Sequence, residues 1–462
     1  MNIHDLYLLI SDSRLNRQPD VPIITTDSRN CPAGSTFLAL KGASFDGNAY
    51  ATQALEKGCA YAIVDAPISE ADAKKWKDRL IHVDDGLQTY KDLAREHRRQ
   101  FNIPVIGITG TNGKTTTKEL VKAVLAEKYN VMATEGNFNN DVGVPKTLFR
   151  LNSSHEIAII EMGASHPGDI KTLAETAEPT CGLITNVGRA HLQGFGSFEG
   201  VIKTKCELYD YLRTRSDGHI FLNADNDFLV DQIHDDDTLW ITPYSSDPDK
   251  QYSCISGEVL ACDPLLKFRW RKPLMELEEE SASQKWHKVQ TQLIGAYNLD
   301  NLLAAIAVGI NFGVDRKAIC HALESYAPTN SRSQLMQTAK NRLIVDAYNA
   351  NPSSMEAALV NFRLVEADHK MAILGDMREL GETSREEHQH IADLIAETGL
   401  ESVWLVGDEF AQVDWKGDAG ACRKFHDVEE VKAALATKCP EGFTILVKGS
   451  NGTKLFQLPD LL

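Results

Sequence analysis

The sequence predicts an α/β protein of three domains: a small N-terminal α/β domain, a central P-loop-type domain on a mostly parallel sheet, and a C-terminal doubly wound, Rossmann-like domain. Three observations carry this. Short apolar runs end in polar or glycine-rich loops; the intervals between them are long enough for crossover helices; and the pattern breaks near residues 100 and 326. A chain of 462 residues is also too long for one ordinary core.

The first block, 1–100, alternates the apolar runs "STFLALKG", "AYAIVD" and "RLIHVDD" with the helical stretches "YATQALEKG" and "LQTYKDLAREHRRQF". Asn102 and Pro104 punctuate its end. The second block, 101–325, opens on the strand "PVIGITG", enters a helix at about Thr115 and continues through the strands "EIAIIEMG" and "CGLITNVG". Residues 245–293 change character, with two tryptophans, alternating segments and the acidic "ELEEESASQ", and read as an antiparallel or loop-rich excursion of the same domain. The helix Asn298 to Gly313 carries a long apolar face and stops on glycine. The third block, 326–462, has the strands "RLIVDAY", "KMAILGDM", "SVWLVGD" and "FTILVKGS", each separated from the next by a helical stretch.

Composition narrows the function classes. Apolar residues at 43% and charged residues at 24% describe a globular protein. With 65 acidic and 48 basic side chains the formal charge is −17, which repels nucleic acid and anionic lipid, and the basic runs "REHRRQ" and "KFRWRK" are short and isolated. The nine cysteines are scattered without a CxxC pair, favouring a reducing compartment over a disulfide framework or structural zinc. The start "MNIHDLYLLISDSRLN" lacks a basic n-region and a small-residue cleavage site, and no stretch reaches the ~18 apolar residues of a membrane span. The expectation is a cytoplasmic protein without membrane insertion.

The stretch "VIGITGTNGKTTTKEL" is a strand, a glycine-rich turn and a helix. Backbone N–H groups and the helix N-terminus there converge on one anion, Lys114 adds a point charge, and an adjacent threonine hydroxyl suits Mg²⁺. The strict GxxxxGK[ST] spacing is not met, because Ile108 stands where its first glycine would be and glycines fall at Gly107 and Gly110. Three polar insertions follow. Glu161 ends an apolar strand and is either a solvent-facing turn carboxylate or a Mg²⁺ ligand. His191 follows a strand and is either a satisfied loop residue or a functional one. Lys205 lies in a helix, where a lysine is ordinarily solvated. In "LIVDAYNANPSSMEAAL", Asp346 ends a strand and a polar loop precedes a helix that Ser353 or Ser354 caps, which suits either a connector or ligand contact at a sheet's carboxyl edge.

The set "GITGTNGKTTT", "EMGASHPGDI", "TNVGRAHLQGFGS", "KTKCELY", "GAYNLDNLLAAIAV", "VDAYNANPSSMEAAL", "LGDMRELG" and "VKGSNG", with "TDSR" and "FLALKGASFDGNAY" upstream, resembles the Mur ligases of bacterial peptidoglycan synthesis along nearly the whole chain. "YNANPSSM" with "LGDMRELG" points to the branch that adds D-alanyl-D-alanine to UDP-N-acetylmuramoyl-tripeptide. The resemblance implies a cytoplasmic, monomeric ATP- and Mg²⁺-dependent ligase with a UDP-substrate domain at 1–100, an ATP domain at 101–325 and a ligase domain at 326–462. It implies substrate contacts from Ser28, Arg29, Phe45, Asp46, Gly47 and Asn48. Gly110, Thr111, Asn112, Gly113, Lys114, Thr115 and Thr116 would hold the ATP phosphates, and Asn298 and Asn301 the adenine side. Arg332 and Asp346 would reach ATP when the last domain closes. Thr115, Glu161, His191 and Lys205 would hold metal, with Lys205 carbamylated and Lys114, His191 and Lys205 serving the chemistry. Tyr348, Asn349 and Asn351 would line the dipeptide site. The sequence departs from the family pattern at Asn48, Tyr297, Ser331, Arg378 and Asn451. Other readings stay open at this point: a diamino-acid-adding relative, a folate-chain ligase, or a nucleotide-binding regulator without turnover.

Overall fold

The computed structural model describes residues 1–11, 23–42, 44–234, 236–250, 252–273, 285–328 and 334–462. The segment "ELEEESASQ" and the expected nucleotide contact Arg332, with its neighbour Ser331, lie outside them. Three principal sheets of four, nine and six strands follow one another along the chain, so the α/β class and the three-domain architecture hold. By contact density the chain groups into two compact units, 1–107 with 129–163 and 169–181, and 108–128 with 164–168 and 182–462. That grouping is drawn along other lines than 1–100, 101–325 and 326–462.

In the first unit, four parallel strands run in the order Ile24–Thr25, Thr36–Leu38, Tyr61–Val64 and Leu80–His82. Leu38, Ile63, Tyr90 and Leu93 share a core with Leu6 and Ile10 of the helix Ile3–Ser11. The helix Gly86–Arg99 starts where the Asp85 carboxylate accepts from the Gln88 N–H, and its last turn gathers His97, Arg98 and Arg99 at the negative end of its dipole. The strand Ile157–Glu161 pairs in parallel with Val131–Ala133.

The second unit holds the antiparallel excursion expected from 245–293. Ile255–Cys262, Leu265–Arg271 and His287–Ile294 pair antiparallel, and the alternating burial of the last two is that of a half-exposed sheet. Tyr244 and Ser245 pair in parallel with Ile255 and Ser256, joining this meander to Trp240–Ser245 and His219–Asn223. The helix Leu299–Asn311, buried along most of its length, packs on the helix Lys114–Ala126. The six-stranded sheet has the order Gln334–Gln337, Arg342–Asp346, Thr444–Lys448, Lys370–Gly375, Ser402–Val406 and Cys422–Phe425. All pairs but the first are parallel, and the order reverses beside Arg342–Asp346, the switch point of a doubly wound fold. The two edge strands escaped the sequence reading because "QLMQ" and "CRKF" lack an apolar run.

Candidate functional site

The phosphate loop leaves the strand Val105–Thr109 and enters the helix Lys114–Ala126. Two glycines take conformations that other residues rarely adopt: Gly110 has φ 141° and Gly113 has φ 79°. A Cβ on Gly110 would strike the Thr185 hydroxyl, and one on Gly113 would come within 2.5 Å of Asn301 Oδ1. The non-standard glycine spacing is thus met by a distinct anchoring. Thr111 N–H donates to the Asn186 carbonyl at 2.9 Å, Asn112 N–H to Asn186 Oδ1 at 3.0 Å, and the Thr185 hydroxyl to the Asn112 carbonyl at 2.6 Å. The Lys114 ammonium donates to the carbonyls of Gly110 and Thr111 at 2.7 and 2.9 Å, folded over the loop it would share with phosphate. Thr115 is buried at the helix start and Thr116 half-buried beside it.

Two basic groups from other elements gather at this loop. His191 sits in left-handed backbone (φ 51°), and its Nδ1 pairs with Glu379, itself at φ 62°. Desolvation lowers the proton affinity of His191 first; Glu379 opposes it, and the charges of Lys114 and Lys205 reinforce it. His191 and Lys205 both approach the Phe195 ring, His191 with ring centroids 6.2 Å apart. Lys205, on the helix Phe198–Arg213, is 2% exposed with its ammonium 5.3 Å from the Phe195 ring centroid, so the solvated reading of this lysine is overturned. Burial comes from helix phase: Val201, Lys205, Leu208 and Leu212 share the inward face.

The third block meets the same loop. Asn351 caps the helix Pro352–Leu364 in a reciprocal capping box with Ser354 and donates through Nδ2 to Asn112 Oδ1 at 2.8 Å. The Arg189 N–H donates to the Ser353 hydroxyl at 3.2 Å, while its guanidinium faces Glu356 and Glu387 at 3.3 and 3.4 Å. Asp346 ends its strand in register with Lys448, whose ammonium donates to Asp346 Oδ2 at 2.5 Å and to the Asn349 carbonyl at 3.3 Å. Tyr348 is half-buried and Asn349 exposed. Sequence reasoning passed over Lys448, although its place at the end of "FTILVKGS" was the available signal.

Asn298 and Asn301 are buried, and their amides are engaged within the protein. Asn298 Nδ2 donates to the Ile294 carbonyl, Asn301 Nδ2 to Asn298 Oδ1, and the Thr117 hydroxyl to Asn301 Oδ1, at 2.8, 2.8 and 2.9 Å. In this geometry they brace the phosphate loop.

The remaining expected residues belong to the first compact unit. Glu161 is buried rather than solvent-facing; its Oε1 accepts from Asn139 Nδ2 at 2.9 Å and its N–H donates to the Thr134 hydroxyl. Asp27 accepts from the Arg29 N–H, Nε and Nη2 at 3.0, 2.9 and 2.9 Å, which holds its carboxyl down at about 2. The Ser28 carbonyl accepts from Lys57. Phe45 is exposed, and Gly47 leaves no room for a Cβ against the Leu40 carbonyl. Asn48 donates through Nδ2 to Asp46 and Asp65 and accepts from the Asp65 N–H, so the asparagine at this departure knits two loops together. Asp65 also accepts from the Gly86 N–H and pairs with Lys41, a role the sequence did not reveal.

A glycine cradle with a lysine and a buried helix N-terminus fits nucleotide phosphates. The threonine hydroxyl and carboxylate proposed for Mg²⁺ are the hard oxygens it takes. Among the described residues no group of three or more His, Cys, Asp or Glu forms a metal cage. A Mg²⁺ ion held by one or two protein oxygens and substrate phosphates needs none. Also among the described residues, no helix is long and apolar enough to cross a membrane.

Comparison with known proteins places these features in one family. The family patterns described as Mur ligase family catalytic domain, Mur ligase middle domain, and Mur ligase glutamate ligase domain match residues 20–98, 108–309 and 331–451. A UDP-N-acetylmuramoyl-tripeptide–D-alanyl-D-alanine ligase of Synechocystis is 33% identical over 97% of this chain and 93% of its own. The enzyme of that name from Escherichia coli is 32% identical over 94% and 91%. The crystal structure of MurF from Acinetobacter baumannii superposes with a TM-score of 0.84 at 29% identity, covering 99% and 98% of the two chains.

Proposed function

This chain belongs to the Mur ligase family, and on that premise we propose that it is the ATP-dependent amide ligase that joins D-alanyl-D-alanine to UDP-N-acetylmuramoyl-tripeptide, giving the pentapeptide precursor of peptidoglycan. The observation that carries the reading is the 2.8 Å bond from Asn351 to Asn112, which ties the "YNANP" loop to the phosphate loop. An acceptor amine bound beside Tyr348, Asn349 and Asn351 then lies next to the site of phosphoryl transfer.

A carboxylate is a poor electrophile. A tripeptide carboxylate oxygen attacks the γ-phosphorus of ATP, the bond to ADP breaks, and an acyl phosphate forms. The dipeptide nitrogen then attacks the acyl carbon and loses its proton, and the carbon–oxygen bond to phosphate breaks. Gly110 to Thr116 orient the phosphates, and Lys114 offsets charge on the transferred oxygens once it turns from its own loop carbonyls. Bound Mg²⁺ would neutralise charge on the transferred phosphates; Thr115, Glu161 and the Lys205 carbamate are proposed to help hold it, and His191 to serve a second metal site. The burial of Lys205 supports its carbamylation: the ammonium gives up a proton, the freed amine nitrogen bonds CO₂ and loses a second proton, and a cation becomes an anionic oxygen donor. Asp346, fixed by Lys448, and Arg332 would serve ATP from the ligase domain, whose closure would exclude the water that hydrolyses an acyl phosphate. Ser28, Arg29 and Phe45 to Asn48 take the UDP portion. The three-part division at 1–100, 101–325 and 326–462, a monomeric state and work in the cytoplasm belong to the same proposal.

Phosphate release from ATP, measured with UDP-N-acetylmuramoyl-tripeptide and with or without D-alanyl-D-alanine, tests the assignment. Release is expected to need all three substrates, and release indifferent to the dipeptide would sink the reading. Intact-peptide mass spectrometry across Lys205 tests the carbamate.

A further inference from the structure

Five asparagine side chains, with Thr117 and the intervening backbone, close a circuit through the phosphate loop. Asn351, the cap of the helix Pro352–Leu364, donates to Asn112 in the loop. Past Gly113, Thr117 of the next helix donates to Asn301 Oδ1, the atom that fills the space beside Gly113. Asn301 donates to Asn298, which closes the short turn Ala296–Asn298. The N–H of Ala296 in that turn donates to Asn361 Oδ1 at 3.2 Å, and Asn361 lies on the helix where the circuit began.

Asn361 is 5% exposed and also accepts from the Cys262 thiol at 3.4 Å. It follows Asn351 by ten residues, roughly 15 Å along a helix rising 1.5 Å per residue. One helix of the ligase domain therefore reaches the phosphate loop twice, directly through its cap and indirectly through Ala296, Asn298 and Asn301. An asparagine amide donates and accepts at once, so such side chains transmit geometry in series where a carboxylate, which only accepts, would end the chain.

We propose that Asn361 is a positioning residue for ATP: by holding the Ala296 turn it fixes Asn298 and Asn301, and through them the glycine that shapes the phosphate loop. The inference rests on the reading of Gly110 to Thr116 as the ATP-phosphate site. It assigns Asn298 and Asn301 a bracing role.

The test compares full-length Asn361→Ala, Asn361→Asp and Lys114→Met with the unmodified protein, by calorimetric titration with ATP and by steady-state kinetics. Asn361→Ala is expected to weaken ATP binding and raise its KM about tenfold, the effect of losing one buried hydrogen bond. Its kcat and its KM for D-alanyl-D-alanine stay within about twofold. Asn361→Asp, which keeps the acceptor oxygen, recovers most of the loss. Unchanged ATP binding in Asn361→Ala, with binding lost in Lys114→Met, overturns the circuit and leaves the phosphate site standing. A parallel rise in both KM values with a lower melting temperature makes Asn361 a mere domain tie and also overturns it. Undiminished ATP binding in Lys114→Met removes the phosphate site and the proposal together.

Discussion

The phosphate loop and the turn after Thr25 both follow parallel strands and both are expected to grip phosphate, yet they are held in opposite ways. The turn is closed locally, with Asp27 taking three bonds from Arg29 two residues on, in the open. The loop is closed by Asn186, Asn301 and Asn351, which lie 74, 184 or more residues away, and all its anchors are buried or half-buried. Acidity follows the same divide. The open Asp27 is held at about 2 by Arg29, whereas Asp300, enclosed in the helix that braces the loop, is raised to about 6 by burial and by Asp225. A locally closed turn can be shaped without disturbing the fold, and a loop closed by distant partners cannot.

Substitutions sharpen that contrast, beginning with the largest effect. Lys114→Met removes the only side-chain cation of the loop and is expected to lower kcat/KM at least ~1,000-fold, with the melting temperature little changed. Residual activity within about tenfold of the unmodified enzyme would remove the lysine from the chemistry. Lys448→Met leaves Asp346 without its ion pair at the switch point and is expected to destabilise the protein by about 2–4 kcal/mol in urea unfolding. Equal stability would mean that water serves the carboxylate as well.

Asp300→Asn acts the other way. The carboxyl titrates near 3.8 unfolded and about 6 folded, so between those values the folded state holds the extra proton and stability falls as pH rises. The substitution is expected to add about 1–3 kcal/mol at pH 7 and almost nothing at pH 4. A gain independent of pH would assign the effect to packing. The smallest structural effect belongs to Arg29→Ala. Asp27 gives its stabilisation above its unfolded value near 3.8 and loses it as pH falls toward 2, and solvent screens the pair, so the melting temperature at pH 7 stays put. Its expected signature is a several-fold rise in KM for the UDP substrate, read in initial rates; an unchanged KM would detach Arg29 from that substrate.

Strands with continuous apolar runs were legible because burial on both faces demands them, and Ile157–Glu161 and Lys370–Gly375 stand where their runs predict. Gln334–Gln337 and Cys422–Phe425 were not legible, because an edge strand needs only half a buried face and "QLMQ" and "CRKF" advertise nothing. The loop was recognisable from glycine, lysine and threonine at short range. Lys205 looked solvated until helix phase turned it inward; Asp65 and Asn361 carried no signal because their partners are far away in the chain, and Lys448 offered only its place at a strand end.

By itself the sequence determined the α/β class, the place of strands such as Val105–Thr109, Ile157–Glu161 and Lys370–Gly375, and the strand–glycine turn–helix of the loop. These depend on residues within a few positions of one another, where periodicity and backbone sterics act. Only the tertiary structure decided which distant asparagines hold that grip, that Asn298 and Asn301 brace it, and that Asp346 is fixed by Lys448. Such choices are made by packing, which brings together groups that no local spacing relates.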